Sequence, residues 1–133
     1  MIEVEIIGAP RAASAPAADE VRRLCSAAAA SRGIGDGHVA IEFLDAASIA
    51  LLNGEHRAKS EPTDVLSFPI DGLDPIGDGV ARELGDIVIC PEHTEDLREA
   101  IVHGMLHLLG MDHEQDDGEM LNLQRELLTP APA

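Results

Sequence analysis

The sequence predicts an α+β fold: a single small domain over residues 1–133, with a sheet of about four strands and helices packed on it. Three observations lead there. Short apolar or alternating segments interleave with longer segments of helical period, in the order βαββ, a loop, β, then two helices. No repeat and no linker long enough to separate two domains interrupts that order. A chain of 133 residues can also bury one core large enough to fold without staples.

Taken in order, Ile2 to Ile7 alternates apolar and acidic residues, as a half-exposed strand does. Gly8 to Ser14 reads as a loop. Pro16 to about Ser31 reads as a helix, with Pro16 in the first turn and Asp19 and Glu20 complementing the N-terminal dipole. Val21, Leu24, Cys25 and Ala28 form its apolar stripe, and Gly33 suits its C-terminal turn. His38 to Leu44 is the second strand, with Val39, Ile41 and Phe43 on one face. Asp45 caps a second helix running to about His56, with Ile49, Leu52 and Leu51 directed inward and Arg57 in the loop that follows. Thr63 to Pro69 is the third strand. The Gly-, Asp- and Pro-rich stretch Asp71 to Leu84 is a surface loop, and Gly85 to Cys90 is a short apolar fourth strand begun by Asp86. Thr94 caps a third helix, with Glu95 and Asp96 in its first turn, ending near Gly110. A last helix spans roughly Glu114 to Leu128, with Met120, Leu123, Leu127 and Leu128 as its core side.

Composition removes several classes of function. The net charge of −16 argues against nonspecific binding to nucleic acid or anionic membranes. It leaves RNA open as a substrate, because exposed charges are screened beyond ~8 Å at physiological salt and a local cationic site still attracts phosphate. Two phenylalanines, with no Trp or Tyr, do not make a base-stacking platform. Cys25 and Cys90 are far apart and in no CxxC pair, so they read as buried reduced thiols in a reducing compartment. No apolar run approaches the ~20 residues that span a bilayer, and Met1-Ile-Glu-Val-Glu lacks a signal-peptide pattern, so a cytoplasmic protein without a membrane partner is the expectation.

The chemistry is concentrated in one segment, His103-Gly-Met-Leu-His107-Leu-Leu-Gly110-Met-Asp-His113. Residues four apart on a helix project from one face, so His103 and His107 can share one ion. Gly110 lets the chain turn sharply, and His113 can return to the same ion. Three protein ligands leave a fourth position for water, which is the pattern of a catalytic zinc site. Zinc lowers the pKa of that water toward ~7. Half of the six histidines fall within these eleven residues. Three unpaired imidazoles on an otherwise hydrophobic helix would be costly to bury. The spacing is also that of the metzincin proteases, whose general base is a Glu directly after the first His. Here that position is Gly104, which rules out their standard mechanism and requires a base from elsewhere or metal hydroxide alone.

The segment Val102-His-Gly-Met-Leu-His-Leu-Leu-Gly-Met-Asp-His-Glu resembles the signature of the YbeY family of bacterial endoribonucleases. Two further blocks agree and occur in the family's order. One is Leu52-Asn53, Arg57 and Pro62-Thr-Asp-Val-Leu-Ser-Phe-Pro69; the other is Glu83-Leu-Gly-Asp-Ile-Val-Ile-Cys-Pro91. Together they cover the chain from about Leu51 to Glu114. The resemblance implies a metal-dependent, single-strand-specific RNase acting in ribosomal RNA maturation, notably at the small-subunit 3′ end, and in ribosome quality control. It implies zinc at His103, His107 and His113, and a catalytic role for Arg57. Partners would be single-stranded or ribosomal RNA and proteins of the small ribosomal subunit. Family members usually carry a longer stretch before the histidine motif, whereas Pro91 to Val102 leads here almost directly into His103.

A guanidinium at Arg57 would hold phosphate by planar, bidentate contacts and stabilise developing charge. Lys59 is a weaker phosphate contact. Asp112 and Glu114 are candidates to orient an imidazole. His38, His56 and His93 lack metal spacing and read as surface histidines. Two alternatives remain beside the nuclease: an atypical zinc peptidase-like hydrolase, and a non-catalytic ribosome-assembly factor with a structural metal. Imidazole ligands also suit other divalent transition metals.

Overall fold

The computed structural model describes residues 2–8, 16–57, 65–112 and 116–129, with the backbone alone at 55–57. Four strands form one mixed sheet in the order β1-β2-β4-β3: β1 (Ile2–Ile7), β2 (Gly37–Phe43), β3 (Val65–Pro69) and β4 (Glu83–Ile89). β1 and β4 run parallel to β2, and β3 closes one edge antiparallel to β4. The helices are α1 (Ala18–Ser31), α2 (Ala46–Arg57), α3 (Leu97–Leu108) and α4 (Glu119–Leu128), with a short 3-10 turn at Pro91–His93. The α+β expectation holds.

The two-residue period of the strands sorts the core. Val39, Ile41, Ile87 and Ile89 point to the face that α1 and α3 cover, forming the main core with Val21, Leu24, Cys25, Ala28, Ile101, Met105 and, from α4 packed on those two helices, Met120. Opposite them, Leu66, Val88 and Cys90 pack with Ile49 of α2 in a smaller cluster. Toward β1 the same second face carries Glu3, Glu5 and His38. Register aligns Glu3 with His38 and His38 with Glu83, and the His38 imidazole bridges the three strands, with Nδ1 2.7 Å from a Glu83 carboxylate oxygen and Nε2 3.5 Å from Glu5. α3 is tied to α1 at the surface by Arg98, which donates from Nε and Nη2 to the Glu20 carboxylate at 2.6 and 3.0 Å.

Local signals hold where they depend on neighbouring residues. The Asp45 carboxylate accepts from Ser48 N–H at 2.8 Å, and the chain leaves α1 with Ile34 N–H bonded to Ala29 O. Other boundaries differ. Asp96, not Thr94, caps α3: its carboxylate accepts from the N–H groups of Arg98 and Glu99, while the Thr94 hydroxyl donates to Cys90 O at 2.7 Å. Arg57 is the last residue of α2 rather than part of a loop. Leu51 is 71% exposed instead of inward-facing. β4 starts at Glu83, so Asp86 lies inside the strand as an exposed residue. α4 begins only at Glu119, because Asp116 first accepts from Gly118 N–H and Met120 N–H at 2.9 Å each. Such competition among capping groups is invisible to periodicity.

Candidate metal centre

α3 is buried nearly all round. Leu97, Ala100, Ile101, Val102, Gly104, Met105, Leu106 and Leu108 are buried, so that beside Arg98 only the strip Glu99, His103 and His107 has partial or full access to solvent. These three are each one turn apart on one face. The strip exists because α3 lies against the sheet through Gly104: a Cβ there would stand 2.7 Å from Ile87 Cγ2. Position 104, which holds the general base in HExxH enzymes, therefore faces β4 and not the histidines. The Ser67 hydroxyl donates to Gly104 O at 3.3 Å and fastens β3 to the same turn.

The two imidazoles meet edge to face, with ring centroids 4.7 Å apart and Nε2 atoms 3.1 Å apart. Their tautomers follow from their other contacts. His103 Nδ1 lies 2.8 Å from Gln124 Oε1 on α4, and His107 Nδ1 lies 3.0 Å from Met111 O. Both oxygens can only accept, so each Nδ1 carries the proton and each Nε2 presents its lone pair. Two lone pairs directed at a common point suit a proton or a cation between them. Two imidazole nitrogens on one tetrahedral zinc, each at ~2.0–2.1 Å, stand about 3.3–3.4 Å apart, close to the separation seen here. The donor set fits a zinc ion.

The Met111 contact is built by the helix end. Gly110 takes φ +90°, Gly110 N–H donates to His107 O and Met111 N–H to Leu106 O, both at 3.0 Å. This double bond pattern turns the chain back so that Met111 O reaches His107. The third predicted ligand, His113, lies outside the described residues, as do Lys59, Thr63, Asp64, Glu114 and the side chains of His56 and Arg57. Among the described residues no group of three His, Cys, Asp or Glu side chains converges on one point.

Beside His103 opens a groove of about 430 Å³, bounded by Val65 of edge strand β3, the start of α3 and Leu121 and Gln124 of α4. His93, Glu95, Asp96 and Glu99 line it too. The sequence alone reads His93 as a surface histidine and does not single out Gln124. The available signal was a polar residue on the apolar stripe of α4, one turn after Met120; Gln124 is only 8% exposed.

The chain is similar to known proteins of one family. The family model for endoribonuclease YbeY matches residues 10–131. A Rubrobacter xylanophilus protein of that name is 37% identical over 131 residues, covering 94% of this chain and 93% of its own length. A Nitrobacter hamburgensis protein of the same name is 43% identical over 112 residues, and the match spans 58% of that longer relative. The solution structure of the Thermotoga maritima protein TM1509 superposes with a TM-score of 0.55 at 26% identity, covering 96% of this chain and 86% of that one. The match runs from before α1 to beyond α4 and takes in the histidine helix, its turn and the groove: the chain belongs to the endoribonuclease YbeY family.

Proposed function

We propose that this chain is a zinc-dependent, single-strand-specific endoribonuclease that works in maturation of ribosomal RNA, notably the small-subunit 3′ end, and in ribosome quality control. The observation that carries this reading is the His103–His107 pair, with both Nδ1 protons engaged by carbonyl oxygens and both Nε2 atoms directed at one point. His103, His107 and His113 would hold the ion, which when bound supplies Lewis-acid polarisation and an acidified water near neutral pH. Membership in a family of endoribonucleases supports RNA as the substrate.

The chain's own residues divide the remaining work. Glu95, Asp96 and Glu99 make the groove beside His103 repel phosphate, so phosphate binding falls to the cationic centre and to Arg57. Arg57 sits at the C-terminal end of α2, and its guanidinium can make paired bonds to phosphoryl oxygens and offset charge that grows as the ester bond breaks. Gly104 offers no acid or base and faces the sheet, which counts against a peptidase-like mechanism. The net charge of −16 complements basic proteins of the small ribosomal subunit. A cytoplasmic location agrees with two free, buried cysteines, and no helix among the described residues is long and apolar enough to cross a membrane.

Elemental analysis of the purified chain, paired with cleavage of a single-stranded ribosomal RNA precursor, tests this directly. Zinc-loaded protein should cut, chelated protein should not, and Arg57→Ala should lose most of the rate while still binding zinc. Equal behaviour of all three preparations would sink the proposal.

A further inference from the structure

We infer that Gln124 is a positioning residue of the metal centre: its amide oxygen holds His103 in the Nδ1–H tautomer and so keeps Nε2 turned toward His107. The inference rests on the metal reading of the histidine pair, and extends it to a residue that has no ligand chemistry of its own.

Three observations carry it. Gln124 Oε1 lies 2.8 Å from His103 Nδ1, a full-strength hydrogen bond between neighbouring helices α4 and α3. Gln124 is buried, although its neighbours on the same stripe, Met120 and Leu127, are apolar. A polar side chain on such a face costs stability unless its bonds are made, so its presence points to the bond. His107, the other member of the pair, receives the same restraint from Met111 O. His103 lies more than one turn before the helix end, and its acceptor comes from α4.

The restraint matters because an imidazole in water favours the opposite tautomer, with the proton on the nitrogen farther from the backbone. An Nε2–H would direct a proton, not a lone pair, at the position between the two rings. Anchoring of α4 is part of the same device: the Asp116 carboxylate fixes its first turn through Gly118 N–H and Met120 N–H, and Met120 packs in the main core one turn before Gln124. An acceptor is required at position 124, but not an amide. A carboxylate there would serve.

The test compares Gln124→Met, which keeps the volume and removes the acceptor, with Gln124→Glu, which keeps the acceptor. Two readouts apply: zinc affinity by competition with a chelating dye, and the histidine ring nitrogen-15 shifts of the metal-free protein in mildly alkaline buffer. Gln124→Met should weaken zinc by about 10–100-fold and convert His103 from the Nδ1–H to the Nε2–H pattern. Gln124→Glu should retain both properties. Should Gln124→Met lose its native far-ultraviolet dichroism, Gln124→Asn, which is too short to reach His103, gives the same comparison. Unchanged ring nitrogen shifts in a folded acceptor-less variant overturn the inference. If the unaltered chain binds no zinc while the His103 pattern still changes, Gln124 keeps its role and the metal reading falls.

Discussion

His103 Nε2 and His107 Nε2 lie 3.1 Å apart, and neither nitrogen carries the ring proton, because Gln124 Oε1 and Met111 O have drawn both protons to the Nδ1 side. The lone pairs are thereby preorganised: no tautomer exchange or ring flip is needed before an ion binds. Replacing either histidine by alanine should abolish stoichiometric zinc binding. Zinc at a hundredfold excess over Kd should stabilise the unaltered chain by about 2.7 kcal/mol and leave either variant unaffected. Thermal melts with and without added zinc read this, and equal zinc-induced shifts in all three proteins would exclude the pair as ligands.

The His38 bridge predicts a pH dependence of stability. The hydrogen bond to Glu83, aided by the nearby charges of Glu83, Glu5 and Glu3, outweighs desolvation and raises the His38 pKa above its ordinary value. A raised folded-state pKa means that the stabilisation is complete below the unfolded value of ~6.5 and is lost as pH rises through the folded value. Melting temperature should therefore fall across that window in the unaltered chain, and less so in His38→Gln. Parallel pH profiles would show that the bridge contributes nothing.

Gly104→Ala should destabilise the fold despite alanine's higher helix propensity. The gain of about 1 kcal/mol from propensity is set against overpacking costs of about 1–3 kcal/mol where Cβ meets the stiff Ile87 side chain at 2.7 Å. A melting temperature several degrees lower is expected, and Gly104→Glu should not yield a folded chain. A folded, zinc-binding Gly104→Glu protein would mean that α3 does not rest on β4 as described.

Both cysteines should resist modification in the native state. Burial pushes the Cys25 thiol up to about 12, so almost no thiolate is present near neutral pH, and Cys90 is equally inaccessible in the smaller cluster. Alkylation followed by mass spectrometry should label neither residue in native buffer and both in denaturant. Rapid native labelling of Cys25 would contradict the packing of α1 on the sheet.

How much of this was legible beforehand differs from residue to residue. The i, i+4 spacing placed His103 and His107 on one helical face, the glycine at 110 marked the turn, and the alternation Val39, Ile41 fixed which side of β2 enters the core. Each is a local periodicity or a local backbone preference, and such information resides in the order of residues. Leu51, by contrast, reads as inward-facing on hydrophobicity and lies in solvent, because only one strip of α2 meets the smaller cluster.

The sequence by itself determined the α+β class, the helix that bears the histidines and the family to which the chain belongs. Only the tertiary structure decided which nitrogen of each imidazole carries the proton, that Gly104 is a contact with Ile87, and that Gln124 and His93 belong to the neighbourhood of the site. The physical reason is separation along the chain. Gln124 and Ile87 are each brought to α3 by packing between elements, and no periodicity within one element encodes which partner its neighbour will present.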